Sequence, residues 1–296
     1  MSGSITRRGA LLGSMLVIPA LALPRALAYA APAERVDLDA AFKGLEEKTG
    51  ARLGVAALDT ASDSKIEYRA HERFAMCSTF KFLAAAAVLA KVDRKEEKLD
   101  RVIKYGKGDL VAGSPATGKH VDEGMTLAAL CEAAITLSDN TAGNLLLDNL
   151  GGPKGLTQYA RSLGDATFRL DRRETELNEA APGDPRDTIT PAHILKDLQK
   201  TVLGNALAKS SRDQLIEWLL ANKTGDKRLR GGLPKGWSVG DKTGTSDSGM
   251  ANDIAVIWPP SRKPILLAVY LYDPKGTADS RNEIHRKVAS LVAENI

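Results

Sequence analysis

The sequence predicts an α/β (α+β) protein: an antiparallel sheet flanked by helices, with an all-helical domain inserted into it. Three observations predict this fold: a helical stretch followed by two short strand-like runs near the start, three strand-like runs in the last third, and a mostly helical reading of the long middle. With strands at both ends and helices between, the terminal strands must meet in one sheet, and the helices form an insertion. The boundaries that follow are 1–30 for a leader outside the fold, 31–68 with 221–296 for a discontinuous α/β domain, and 69–220 for the all-helical domain.

Residues 1–30 contain Arg7, Arg8 and Arg25 and no acid, an apolar run from Ala10 to Leu23, and Ala28-Tyr29-Ala30 before Ala31, the layout of a cleaved export signal peptide. The apolar run is too short to span a bilayer, so no stable membrane anchor is expected. Thr6-Arg7-Arg8-Gly9-Ala10-Leu11-Leu12 is similar to a twin-arginine export motif; the alternative is an ordinary secretory signal with two adjacent arginines. Either way the mature chain is expected to be exported, to the periplasm.

Next comes a helical stretch around Val36 to Lys48, then Arg52 to Leu58 and Lys65 to Tyr68, split by Asp59-Thr60-Ala61-Ser62-Asp63-Ser64 as in a hairpin. From Ser78 the pattern turns helical, and Phe82-Leu83-Ala84-Ala85-Ala86-Ala87-Val88-Leu89-Ala90 is apolar nearly all round, which marks a central buried helix. Breaks fall at Gly106 to Gly108, at Gly151-Gly152-Pro153, at Ala181-Pro182-Gly183-Asp184-Pro185 and at Thr190-Pro191. The strand-like runs of the last third are Trp237 to Gly244, Asn252 to Trp258 and Pro264 to Leu271, each bounded by Pro, Gly or Asp.

Beyond the leader the charge is nearly balanced. Removing its three arginines from the 41 basic residues leaves 38 against 37 acidic ones. No long basic run remains, so nucleic acid is not an expected partner, nor is an anionic membrane. Cys77 and Cys131 could pair in an exported protein, but both lie in apolar segments, which favours two buried free thiols. His71, His120, His193 and His285 are far apart and join no Cys/His cluster, so no metal site is expected, and each histidine is expected at the surface or hydrogen-bonded.

Four short words carry chemistry: Ser78-Thr79-Phe80-Lys81, Ser138-Asp139-Asn140, Glu174-Thr175-Glu176-Leu177-Asn178 and Lys242-Thr243-Gly244. A lone Ser-x-x-Lys is expected about once by chance in a chain this long, but all four in this order only on the order of once in ten thousand. Helical spacing puts Ser78 and Lys81 on one face, and burial favours the neutral amine that can accept a proton. Ser138-Asp139-Asn140 follows an apolar helix ending at Leu137, at a turn where these residues also serve as the cap of a helix beginning near Thr141. Glu174 and Asn178 lie in a segment that opens with Arg172 and Arg173 and closes at Asp187, with proline and glycine between, which reads as a compact Ω-loop. Taken singly, each word has an ordinary alternative: a helix cap with a snorkelling lysine, a second cap, a solvated acidic loop and a β-turn.

The combination resembles the active site of class A serine β-lactamases, and the resemblance covers essentially the whole mature chain. It implies the serine β-lactamase/penicillin-binding-protein-like fold, β-lactam substrates (penicillins and cephalosporins), antibiotic resistance as the outcome, and no cofactor. It makes Ser78 the nucleophile, and Lys81 and Glu174 proton carriers. Ser138 becomes the relay to the leaving nitrogen, and Glu174 with Asn178 the holders of the deacylating water. Asn140 would position the substrate side chain, and Lys242, Thr243 and Thr245 would receive its carboxylate. The backbone N–H groups of Ser78 and Thr245 would form the oxyanion hole, Arg172 and Asp187 would pair across the loop neck, and Arg228, in Asn222-Lys223-Thr224-Gly225-Asp226-Lys227-Arg228, would stand beneath the substrate carboxylate.

Departures from the family pattern are Arg173 where an aromatic residue often stands, Gly113 at the cleft mouth, and a short turn at Ser246-Asp247-Ser248-Gly249-Met250; the last two border the substrate's side chains. The positions that would supply disulfide partners for Cys77 and Cys131 hold Ser246 and Ala85. Two rivals share part of the pattern: a penicillin-binding peptidase, which normally lacks the Glu174 to Asn178 loop, and a β-lactam sensor that is acylated once, which usually hangs on membrane spans. The chain is expected to act as a monomer.

Overall fold

The computed structural model describes residues 36–296, so the expected export signal lies outside the described residues. Helix α1 (Leu38–Thr49) starts at Asp37, whose side chain accepts from Ala40 N at 3.1 Å, and stops at Gly50 in the left-handed region (φ 73°). It leads into the hairpin β1 (Arg52–Asp59) and β2 (Lys65–Tyr68). A two-residue strand β3 (Phe74–Ala75) precedes a short 3-10 turn, Cys77–Thr79, and then α2 (Phe80–Asp93).

The middle of the chain gives β4 (Val102–Ile103), β5 (Met125–Thr126), α3 (Leu127–Thr136), α4 (Asn140–Leu150), α5 (Gly152–Ser162), β6 (Thr188–Ile189), α6 (Pro191–Leu198) and α7 (Lys209–Leu220). This segment is helical but also holds two small antiparallel ladders, β3 with β6 and β4 with β5. Two-residue strands are too short to show a period of two in the sequence.

The last part supplies β7 (Ser238–Thr245), β8 (Met250–Trp258), β9 (Ile265–Tyr272) and α8 (Ala278–Asn295). The five long strands form one antiparallel sheet in the order β2-β1-β9-β8-β7. The terminal strands meet as expected, with Arg52 opposite Tyr272 and Asp59 opposite Ile265. Helix α8 is an addition to the sequence reading. Thr277 and Ser280 cap its start reciprocally, and Ile284, Val288, Ala289 and Val292 form its buried stripe.

The strands are apolar on both faces because both faces are covered. On one, Val55, Ala57, Leu267 and Val269 pack with Phe42 of α1 and the stripe of α8. On the other, Ala56, Leu58, Ile254, Leu266 and Tyr270 join a core that runs on into α2 to α7. Helix α2 is its axis: every residue from Phe80 to Ala90 is buried, and its four consecutive alanines let neighbouring helices approach closely. The one charged side chain in that stretch is Lys81.

Candidate active site

The 3-10 turn before α2 is held by its own side chains and by the sheet. Thr79 Oγ1 donates to Met76 O at 2.8 Å and meets Tyr270 OH at 3.0 Å, and Asn252 Nδ2 of β8 donates to the carbonyls of Ala75 and Met76 at 2.9 and 3.1 Å. Strand β7 presses against the same turn. A methyl group added at Gly244 would lie 2.7 Å from Met76 O and 3.2 Å from Ser78 N, so only glycine allows the third residue of Lys242-Thr243-Gly244 to approach so closely.

Ser78 Oγ stands 2.9 Å from Lys81 Nζ and donates to Glu174 Oε1 at 3.0 Å. Lys81 Nζ lies 2.8 Å from the same carboxylate oxygen, and both side chains are fully buried. It also donates to Ser138 O at 2.9 Å and to Asn140 Oδ1 at 2.6 Å. Burial lowers the pKa of Lys81, and the charge and hydrogen bond of Glu174 oppose the shift.

Ser138 has φ 57° and sits between α3 and α4. Asp139 caps α4, accepting from Ala142 N at 2.8 Å, and binds the loop in front through Ala116 N, Thr117 N and Thr117 Oγ1. Asn140 Nδ2 donates to Ala112 O at 2.7 Å, which leaves its second hydrogen for the cleft. Gly113 takes φ 78°, and a Cβ there would lie 2.7 Å from Asn140 Nδ2, so the glycine that stands in place of an aromatic residue fits the backbone it occupies.

Lys242 Nζ donates to Ser138 Oγ at 3.0 Å and to Thr243 O at 2.7 Å. Burial first, then the nearby Lys81, lowers its pKa to about 7. The Thr243 hydroxyl meets that of Thr224. Arg228 is almost wholly buried and donates to Gly244 O at 2.9 Å, Asn252 O at 2.6 Å and Thr245 Oγ1 at 2.6 Å, which brings its guanidinium to the same end of the cleft as Thr243 and Thr245.

The Ω-loop closes the site. Arg172 Nε donates to Asp187 Oδ2 at 2.6 Å across the neck, while Asp187 Oδ1 accepts from the backbone N–H groups of Asp171 and Arg172. Asp187 O accepts from Met76 N at 2.8 Å, tying the neck to the turn that carries Ser78. Within the loop, Asn178 Nδ2 donates to Glu174 Oε2 at 2.6 Å, and Asn178 Oδ1 is buried without a protein partner.

The side chains named from the sequence as candidate site residues thus gather around one cleft and the loop that closes it. A cleft of about 690 Å³ opens onto Ser78, Ser138, Asn140, Asn178, Thr243 and Thr245. Cys77 and Cys131 are free and buried; burial raises the Cys77 thiol to about 12. Among the described residues no cluster of three or more His, Cys, Asp or Glu side chains could hold a metal.

Sequence reasoning missed Asn144, Thr224 and Asn252. Asn144 of α4 accepts from Glu174 N and donates to Glu174 O, both at 2.9 Å. A polar residue in the apolar stretch Thr141-Ala142-Gly143-Asn144-Leu145 was the signal available for it.

A family profile described as the β-lactamase enzyme family matches residues 37–296. The chain is 50% identical over 252 residues to β-lactamase OXY-1 of Klebsiella oxytoca, covering 85% of this chain and 87% of that protein. It is 51% identical over 251 residues to β-lactamase Toho-1 of Escherichia coli, covering 85% and 86%. Among solved structures, an ancestral (GNCA) class A β-lactamase is 61% identical with a TM-score of 0.86, over 88% of this chain and 100% of that one. The putative class A β-lactamase PenP from Rhodopseudomonas palustris is 59% identical with a TM-score of 0.86, over 88% and 99%.

Proposed function

The chain belongs to the class A serine β-lactamases and opens the β-lactam ring through a serine acyl-enzyme; from that premise we propose how its side chains divide the work. Ser78 Oγ attacks the ring carbonyl, and its proton passes into the Lys81–Glu174 pair. The hydroxyl already donates to Glu174 and touches Lys81, and Nζ and Oε1 are 2.8 Å apart, so the pair takes up the proton as a unit. The N–H groups of Ser78 and Thr245 receive the developing oxyanion, a contribution of about 3 kcal/mol or more per donor.

Ser138 passes a proton to the ring nitrogen as the C–N bond breaks, and the proton that the Lys81–Glu174 pair took from Ser78 replaces it, which leaves Glu174 ionised for the next step. Lys242 occupies the acceptor side of the Ser138 hydroxyl, which leaves its hydrogen free to point into the cleft. Lys242, Thr243, Thr245 and Arg228 hold the substrate carboxylate, and Asn140 the side-chain carbonyl.

Deacylation follows from the same contacts. Once Ser78 Oγ is esterified it no longer donates to Glu174, and Oε1 becomes free to take a proton from water. Asn178 fixes the other carboxylate oxygen and offers its unpartnered Oδ1 to the same water. The water oxygen bonds to the ester carbon, the bond to Ser78 Oγ breaks, and the proton returns to the serine.

The observation that carries this reading is the direct contact of one carboxylate with both nucleophile and lysine. Glu174→Gln is expected to be acylated by a chromogenic cephalosporin and to stall, with mass spectrometry showing one added acyl group on Ser78. Steady turnover by that variant would remove Glu174 from the deacylation step. Penicillins and cephalosporins are the proposed substrates, and the proposed site of action is the periplasm, reached by the twin-arginine route. A monomer is proposed because the exposed large apolar side chains among the described residues are only Val36, Val102 and Leu220.

A further inference from the structure

We propose that Arg173 is a positioning residue for deacylation, holding Glu174 in register by strapping the residue before it to α4. The inference rests on the reading of Glu174 as the deacylating base. Arg173 Nη1 and Nη2 donate to Asp148 Oδ1 and Oδ2 at 2.5 and 2.8 Å, a bidentate pair, and Nη2 also reaches Asn144 O at 3.2 Å. Asn144 and Asp148 are four residues apart on α4 and therefore share a face.

The side chain of Asn144 clamps both backbone polar groups of Glu174, so residues 173 and 174 are fixed to one helix face at points a turn apart. A single clamp would hold Glu174 in place but leave the chain free to twist about it. The second clamp removes that freedom and sets the direction in which the carboxylate points. Upstream, Arg172 is tied to Asp187 instead, so successive residues of the loop are anchored to different walls of the site.

The strap also forms part of a wall beside the carboxylate. Arg173, Asp148 and Glu174 line a cavity of about 280 Å³ together with Asp109 and Glu176, and none of these residues lines the substrate cleft. Among the described residues Arg173 is the one cation lining that wall, so without it four carboxylates would face the cavity with no positive side chain among them. An aromatic side chain at this position would supply contact area but neither the charge nor the fork geometry.

The test separates acylation from deacylation. Asp148→Asn and Arg173→Ala are expected to slow decay of the acyl adduct, followed by mass spectrometry after a cephalosporin pulse, about fivefold. Both kcat and KM should fall, while kcat/KM, which reports acylation and has Lys81 as well as Glu174 to take the proton, should fall far less than kcat. Arg173→Asp combined with Asp148→Arg, which rebuilds the pair reversed, should recover most of the rate. A thermal midpoint for each variant removes those that fold poorly, and Asp148→Asn, a change at an exposed carboxylate, serves as the second probe if Arg173→Ala is among them.

An unchanged adduct lifetime in Asp148→Asn, a kcat/KM that falls as far as kcat, or no recovery in the reversed pair would each overturn the strap. Glu174→Gln is run in parallel. If it stalls while the Asp148 variant behaves as wild type, only the strap fails; if it turns over, the reading beneath it fails.

Discussion

Lys242 is buried beside a second lysine, and both circumstances work against its charge, which is why its pKa lies at about 7. A lysine in this state is cationic below that value and neutral above it. An anion held by Lys242 therefore binds more weakly as pH rises through 7, and KM for a carboxylate-bearing β-lactam is expected to climb there in steady-state assays. Lys242→Arg should flatten that rise, since a guanidinium stays charged throughout. The candidate site was legible in the sequence because four short words stand in one order whose combination resembles a known active site, although each word alone has an ordinary alternative. Asn144 and Thr224 were not. Each acts through one hydrogen-bonded neighbour, Glu174 for the first and Thr243 for the second, and no local spacing betrays a partner 30 or 19 residues away.

Elements matter here mainly for how they end. The first turn of α4 gathers four donors on the carboxylate of Asp139, and the Ω-loop gathers three on that of Asp187, so two buried acids fix the segments that carry Ser138 and Glu174. Asp187→Ala leaves Arg172 without its neck partner and strands two backbone N–H groups. The expected loss is about 3 kcal/mol in urea unfolding, together with slower deacylation. Caps and loop necks could be anticipated from Asp, Asn, Pro and Gly at the boundaries. Helix α8 escaped because charged and polar residues interrupt its apolar ones, and its stripe of Ile284, Val288, Ala289 and Val292 takes its meaning from the sheet face it covers.

On the scale of the whole molecule, burial of titratable groups sets acid tolerance. His285 lies between α8 and the sheet, with Nε2 against Ala251 O and Nδ1 unpartnered, and burial depresses its pKa to about 3 from the ordinary 6.5. The unfolded chain takes up a proton below 6.5 that the folded one refuses until about 3, so unfolding is favoured progressively as pH falls through that window. Unfolding free energies measured from pH 7 to pH 4 should show a shallower slope in His285→Gln than in wild type. The sheet adds a constraint of order in time. Strand β1 pairs with β2 on one side at once, but its other neighbour, β9, lies more than two hundred residues downstream. A ribosome making this polypeptide must add more than two hundred residues after β1 before the central pairing of the sheet can form, so a translocase that took only folded cargo would have to wait for β9, whereas one that threads loose chain would have all that length to itself.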